Sequence, residues 1–178
     1  MPSYLLDKSV ARRIVEALYH LDKLSSEEMT VLNLWHHLQV EGARLFVPTE
    51  AVHILQRFAH LVEIGVFLST VEPFRLGRYV KRWARRLRQH GFTREDALVL
   101  ALATYGTDST GDILGVDALI TLDKPLLNHF RVHQAELQIR LLAMTRQFSR
   151  PYCRATLPVM LHPDRFFKEA SSGGLSHS

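Results

Sequence analysis

The chain has 178 residues, 47% of them apolar and 22% charged, with a net charge of +4. This is the balance of one globular domain with a real core, and it argues against a disordered or fibrous chain. The single cysteine, Cys153, rules out an internal disulfide and any C-x-x-C motif, which fits a reducing, cytoplasmic setting. The longest apolar run, 97–103, is far short of the roughly 18–20 residues of a membrane span. The first thirteen residues, with Asp7, Lys8, Arg12 and Arg13, lack the apolar stretch of a signal peptide, so neither a membrane nor an export segment is expected.

The opening run Ser3-Tyr4-Leu5-Leu6 reads as a buried strand ending at Asp7. In a parallel sheet an acid at that point faces the crevice where ligands collect, although it also serves simply to end a strand or start a helix. Val10, Ile14, Leu18 and Leu21 then recur at helical spacing, with Ser9 as an N-cap candidate. Ser25 to Glu28 carry a second helix-start signal, and the segment 29–40 is helical in pattern. His36 and His37 point about 100° apart on a helix and are read as surface or packing residues.

A short strand is expected over 43–47, and Pro48-Thr49 opens a helix over about 50–60. Glu50 falls in its first turn, where a carboxylate complements the helix dipole for roughly 0.3–1 kcal/mol. A third strand is expected over 66–71, closed by Glu72-Pro73. Each expected strand is followed by a helix, the pattern of an α/β fold: three layers, α/β/α, with a mainly parallel central sheet. From Arg75 to Gln89 a helix carries Leu76, Tyr79, Val80, Trp83 and Leu87 on one side. Arg78, Lys81, Arg82, Arg85, Arg86 and Arg88 fill most of the rest, as either a solvated face or a ridge for nucleic-acid phosphates.

Gly91 stops that helix, and Thr93-Arg94-Glu95-Asp96 starts another, where Asp96 is equally suited to cap the helix and to bind a cation. The segment 106–111 has turn composition. The stretch 116–123 repeats the opening grammar, an apolar run ending in Asp123, with Pro125 suited to the first turn of the next helix. His129 and His133 have the i, i+4 spacing of a zinc pair, but without a third ligand in view they are assigned a structural role. A further helix is expected over 135–148, then a last strand over 155–161 and a polar tail over 170–178. There is no G-x-G-x-x-G, P-loop, G-x-S-x-G or H-E-x-x-H motif.

Taken in order, Leu5-Leu6-Asp7-Lys8-Ser9, the stretch from Thr93 to Ala103 and the stretch from Leu119 to Leu127, with the ending around Leu157 to Phe167, resemble the PIN-domain nucleases. That family includes the ribonuclease toxins of bacterial toxin–antitoxin pairs. The resemblance covers about residues 3–169, a single PIN-like domain at 1–169. It implies metal-dependent hydrolysis of RNA phosphodiester bonds, with Asp7, Asp96 and Asp123 holding Mg²⁺ or Mn²⁺ directly or through water. Ser9 and Thr121 would orient ligands or water, and Arg78, Lys81, Arg82, Arg85 and Arg86 would receive RNA. An antitoxin protein and a homodimer are the implied partners.

The family's glutamate in the helix after the second strand corresponds to a place near His53, where this chain has no acid. Glu50, one turn earlier on the same helix face, is a candidate in its place, and Asp117 is a further one at the start of its strand. Two other readings compete: a weakened PIN-like module that binds RNA or protein without turnover, and a phosphoryl-transfer domain with Asp7 as nucleophile. The second lacks a supporting acid after Asp7, where Lys8-Ser9-Val10 stands.

Overall fold

Strands β1 (Ser3–Leu6), β2 (Arg44–Pro48), β3 (Val71–Phe74), β4 (Ala118–Ile120) and β5 (Val159–Leu161) form one all-parallel sheet in the order β3-β2-β1-β4-β5. A computed structural model describes residues 1–166 of the chain, so the expected tail at 170–178 lies outside the described residues. Side chains alternate across each strand, and both faces are covered, as an all-parallel sheet requires. Leu5, Phe46 and Leu119 enter one core with the helices α5 (Val80–Gln89), α6 (Arg94–Tyr105) and α7 (Lys124–Thr145). Leu6, Leu45, Val47 and Ile120 enter the other, with α1 (Lys8–Tyr19), α2 (Ser26–Val40), α3 (Thr49–Leu55) and α4 (Val62–Thr70). The result is a three-layer α/β/α fold. No helix among the described residues is long and apolar enough to cross a membrane.

The strand order positions the site. From β1 the chain moves outward through β2 to β3, then crosses back to β4 and β5 on the other side. The switch lies between β1 and β4, and ligands of open α/β sheets bind outside the carboxyl ends of the strands at such a point. Asp7 follows β1 and Asp123 follows shortly after β4.

Several expected boundaries move. Of the segment 66–71, expected as a strand, residues 66–70 are the end of α4, and β3 starts only at Val71. Ile64 and Phe67, three residues apart, are fully buried, while Val66 is exposed. Trp35 packs edge-on against Phe67 and donates its indole N–H to Thr70 Oγ1 at 3.0 Å. Burial on one helical face thus overrides the strand preference of the β-branched and aromatic residues. Pro73 stands inside β3 instead of ending it, which is tolerated because β3 is an edge strand. The arginine-rich helix begins at Val80, after Tyr79 in the left-handed region (φ 72°), where its ring stacks on Phe148 at 3.9 Å. Asp7, not Ser9, occupies the N-cap of α1. The helical patterns before and after Ala135 merge into the single helix α7.

The turn-rich loop after α6 is fastened from within. Asp108 is only 3% exposed, and it accepts hydrogen bonds from Thr110 Oγ1, the Asp112 amide and Arg44 Nη2 at 3.0, 3.0 and 3.1 Å. Arg44 also grips Glu72 through Nε at 3.1 Å and Nη2 at 2.8 Å, joining β2 and β3 to the loop. Burial pushes the Asp108 carboxyl up, but these hydrogen bonds together outweigh it and hold the group below the usual carboxylate range. Its contribution to stability is therefore present above the ordinary carboxylate pKa and lost as pH falls through the depressed value. Asp108→Ala is expected to lower stability by about 1–2 kcal/mol at neutral pH, because it removes the buried acceptor that ties Thr110, the Asp112 amide and Arg44 together. The deficit should shrink as denaturant melts of both proteins are taken to progressively lower pH.

Candidate functional site

At the carboxyl end of the sheet lies a cleft of about 810 Å³, lined by Asp7, Glu50, Asp96 and Asp123. Each acid sits at the start of a helix, for a local reason. Asp7 is the N-cap of α1 and accepts from the Lys8 amide at 2.7 Å through Oδ1. Asp123 caps α7, accepting from the Leu126 amide at 3.0 Å through Oδ1. Thr93 caps α6 by accepting from the Asp96 amide at 3.1 Å, which leaves the Asp96 carboxylate one turn inside the helix start. Glu50 is in the first turn of α3. Capping and lining the cleft are thus compatible here, and four helix starts bring partial positive charge to a cluster of carboxylates.

Asp7 is the best-held member. Its Oδ2 accepts from Thr121 Oγ1 at 2.8 Å and from Ser9 Oγ at 3.1 Å. Thr121 Oγ1 in turn accepts from the Asp123 amide at 3.1 Å, and Ser9 Oγ accepts from the Leu122 amide at 3.3 Å. Two hydroxyls therefore couple the carboxylate after β1 to the backbone after β4. Thr121 is fully buried, while Asp7 and Ser9 are half-buried and face the cleft. Ser9 and Thr121, expected beside the acids, are both bonded to the Asp7 carboxylate.

Burial raises the pKa of Asp96 above the ordinary value; the charges of Asp123, Asp7 and Glu95 push the same way, against a hydrogen bond with Thr93. Asp7 and Asp123 thus both act electrically on Asp96, although the three come from distant stretches of chain. Among the described residues no three of these acids bring their oxygens within 4.8 Å of one another. At that separation the three acids could not all bind one ion directly, and an ion such as Mg²⁺, which takes oxygen ligands and keeps several of its waters, would be held partly through those waters. The donor set is all carboxylate, one member is oriented by two hydroxyls, and a cation would relieve the part of the Asp96 shift that burial does not cause and its acidic neighbours add. The residues present fit such an ion.

Glu50 reaches the cleft but is exposed, at its rim. Asp117 does not reach it. Its Oδ2 accepts from the Ser3 amide and hydroxyl at 2.8 and 3.0 Å, at the amino end of β1 and β4 and so at the opposite edge of the sheet. Its place before the strand dictates this, and it is removed from the candidate ligands. Lys8, Arg12, Arg75 and Glu95 also line the cleft and are not among the residues expected there. Lys8 and Arg12 had a visible signal, standing one and five residues after Asp7 on adjoining turns of one helix face. Arg75 had none, because its place depends on how β3 ends.

The basic residues make a separate surface beside the cleft. Leu76 borders both the cleft and a shallow depression formed with Gly77, Tyr79, Lys81, Arg82 and Arg85. Arg78 lies over the rings of Tyr79 and Tyr152, at 5.1 and 5.9 Å, and Arg82 over Phe148 at 5.4 Å. Arg86 is half-buried, whereas Lys81 and Arg85 are exposed. None of these five makes an ion pair among the described residues.

No protein-family model matches the chain, and no curated protein matches it either.

The raised pKa of Asp96 fixes the sign of its effect on stability. The native state binds the proton more tightly than the unfolded chain does, so the contribution is favourable at acid pH and lost as pH rises through the native value. In a chelating buffer at neutral pH, Asp96→Asn is expected to melt at a higher temperature than the unmodified protein. The gap should narrow towards pH values at which Asp96 is protonated.

Proposed function

We propose that the protein is a metal-dependent phosphodiester hydrolase of the PIN-like type, acting on RNA. The observation that carries this reading is the meeting of Asp7, Asp96 and Asp123 in one cleft at the switch point of a parallel sheet. Asp7, Asp96 and Asp123 would hold Mg²⁺ or Mn²⁺, with Glu50 at the rim. When bound, such an ion supplies Lewis-acid polarisation of the phosphate ester and a lowered pKa for water.

The protein's own groups account for the rest. Thr121 and Ser9 hold the Asp7 carboxylate in one orientation, so little rearrangement is needed when substrate arrives. Lys8, Arg12 and Arg75, in the same cleft, are placed to receive the non-bridging oxygens of a phosphate. Leu76, Leu98, Val99 and Leu102 give the cleft an apolar wall that suits a base or sugar and lowers the local dielectric. The adjoining depression with Lys81 and Arg85 extends the positive surface beyond the scissile phosphate, as a chain substrate requires.

A second reading, a PIN-like module that binds RNA without turnover, draws on one feature: the fourth acid, Glu50, is exposed at the rim and no acid stands at His53. Incubation of labelled single-stranded RNA with Mg²⁺ or Mn²⁺ separates the two. The expected result is cleavage that stops with chelator and falls by at least about 100-fold in Asp7→Asn, a loss of roughly 2.7 kcal/mol of transition-state stabilisation. Salt-sensitive binding with no metal-dependent cleavage would leave only the second reading. In either case the double variant Lys81→Ala, Arg85→Ala is expected to weaken RNA binding and to flatten its dependence on log salt by about 1–2 units of slope, measured by fluorescence anisotropy.

A further inference from the structure

Helix α5 ends at Gln89 with His90 as its C-cap, and Gly91 (φ 87°) turns the chain towards α6. A side chain at position 91 would be strained by that backbone, and its Cβ would lie 3.3 Å from the ring of His129. Helix α7 passes beside this turn and presents His129, His133 and Glu136 to it. His129 Nε2 is 2.7 Å from the His90 carbonyl oxygen, which can only accept, so Nε2 carries the hydrogen and the ring pins the backbone of His90. The His129 ring also packs 4.4 Å from the rings of both Phe92 and His133.

On that scaffold three donors converge. Glu136 Oε2 is 3.4 Å from His90 Nδ1 and 3.6 Å from His133 Nδ1. One ligand atom from each of the three residues lies within 4.8 Å of the others. Those N···O distances are long for charge-assisted hydrogen bonds, which run about 2.7–2.9 Å. They agree with the edge of a tetrahedron around Zn²⁺, where bonds of about 2.0–2.1 Å set neighbouring ligand atoms about 3.4 Å apart. Two imidazoles and one carboxylate suit a borderline transition ion and not Mg²⁺, which prefers an all-oxygen shell.

We propose that His90, His133 and Glu136 form a binding site for a divalent transition-metal ion, Zn²⁺ in particular, with a fourth position open to water. His129 is a positioning residue, holding His90 through its carbonyl. The site is separate from the acidic cleft: His133 is ten residues along α7 from Asp123, about 15 Å at the helical rise. An ion there would clasp the turn between α5 and α6 to the middle of α7. Since α6 carries Asp96 and α7 begins at Asp123, the clasp would fasten together the two helices that bring these acids to the cleft. The assignment does not depend on what the cleft hydrolyses.

The test is calorimetric titration of the metal-stripped full chain with Zn²⁺, paralleled by Co²⁺ followed through its visible ligand-field absorption. With excess Mg²⁺ present to fill the acidic cleft, one equivalent is expected to bind, with the intense absorption of tetrahedral cobalt. His133→Ala and Glu136→Ala should each weaken binding by about 100-fold or more, since loss of even an outer partner of a metal ligand costs about 10- to 100-fold. Glu136 is exposed, so its variant keeps the measurement interpretable if truncating His133 disturbs packing. Asp123→Asn should bind Zn²⁺ as the unmodified protein does. Absence of binding, undiminished binding in Glu136→Ala, or loss of binding in Asp123→Asn would each overturn the assignment.

Discussion

The Asp7 carboxylate, held between the hydroxyls of Thr121 and Ser9, is the contact on which the rest of the site depends. It forms where the central strand β1 and its neighbour β4 end side by side, and the Asp7 amide extends their pairing by donating to the Ile120 carbonyl at 2.9 Å. Because each hydroxyl also accepts from the backbone of the segment 121–123, the position of Asp7 and the path of the chain into α7 are set together. A shift in the register of β1 against β4 would turn Asp7 away from the cleft and bring a leucine to its place, since side chains alternate across a strand.

Burying and gathering carboxylates has a cost, visible in the pKa of Asp96, which burial raises and the charges of Asp123 and Asp7 raise further. Several features offset it: the starts of α1, α3, α6 and α7, the two hydroxyls on Asp7, and Lys8, Arg12 and Arg75 around the same cleft. The two apolar layers make the arrangement affordable by anchoring each helix independently of its polar end. In α6, for example, every residue from Leu100 to Tyr105 is buried while its first turn opens on the cleft.

Much of this was legible along the chain. Leu5-Leu6-Asp7 and Leu119-Ile120-Thr121-Leu122-Asp123 each show an apolar run stopping at an acid, and in a parallel sheet such acids share one edge. The parallel sheet itself followed from strands alternating with helices. The segment 66–71 misled because its residue types favour a strand, and only the packing of Phe67 and Thr70 against Trp35 makes it a helix. Asp117 and Asp123 flank one strand and are alike in composition of surroundings, yet the polarity of the strand sends them to opposite edges. For Asp7, Asp96 and Asp123, the choice between helix start and cleft residue was not a choice, because the cleft is built where helices begin.

Local order along the chain determined the elements, their α/β alternation and three acids at strand ends and a helix start, because apolar periodicity and capping act over a few residues. Only tertiary structure decided which distant groups meet. It set Thr121 against Asp7, left Glu50 at the rim, brought Arg75 into the cleft, and placed His90 against His133 and Glu136. Those meetings depend on strand order and on the angle at which helices cross the sheet, and these are set by packing the whole core.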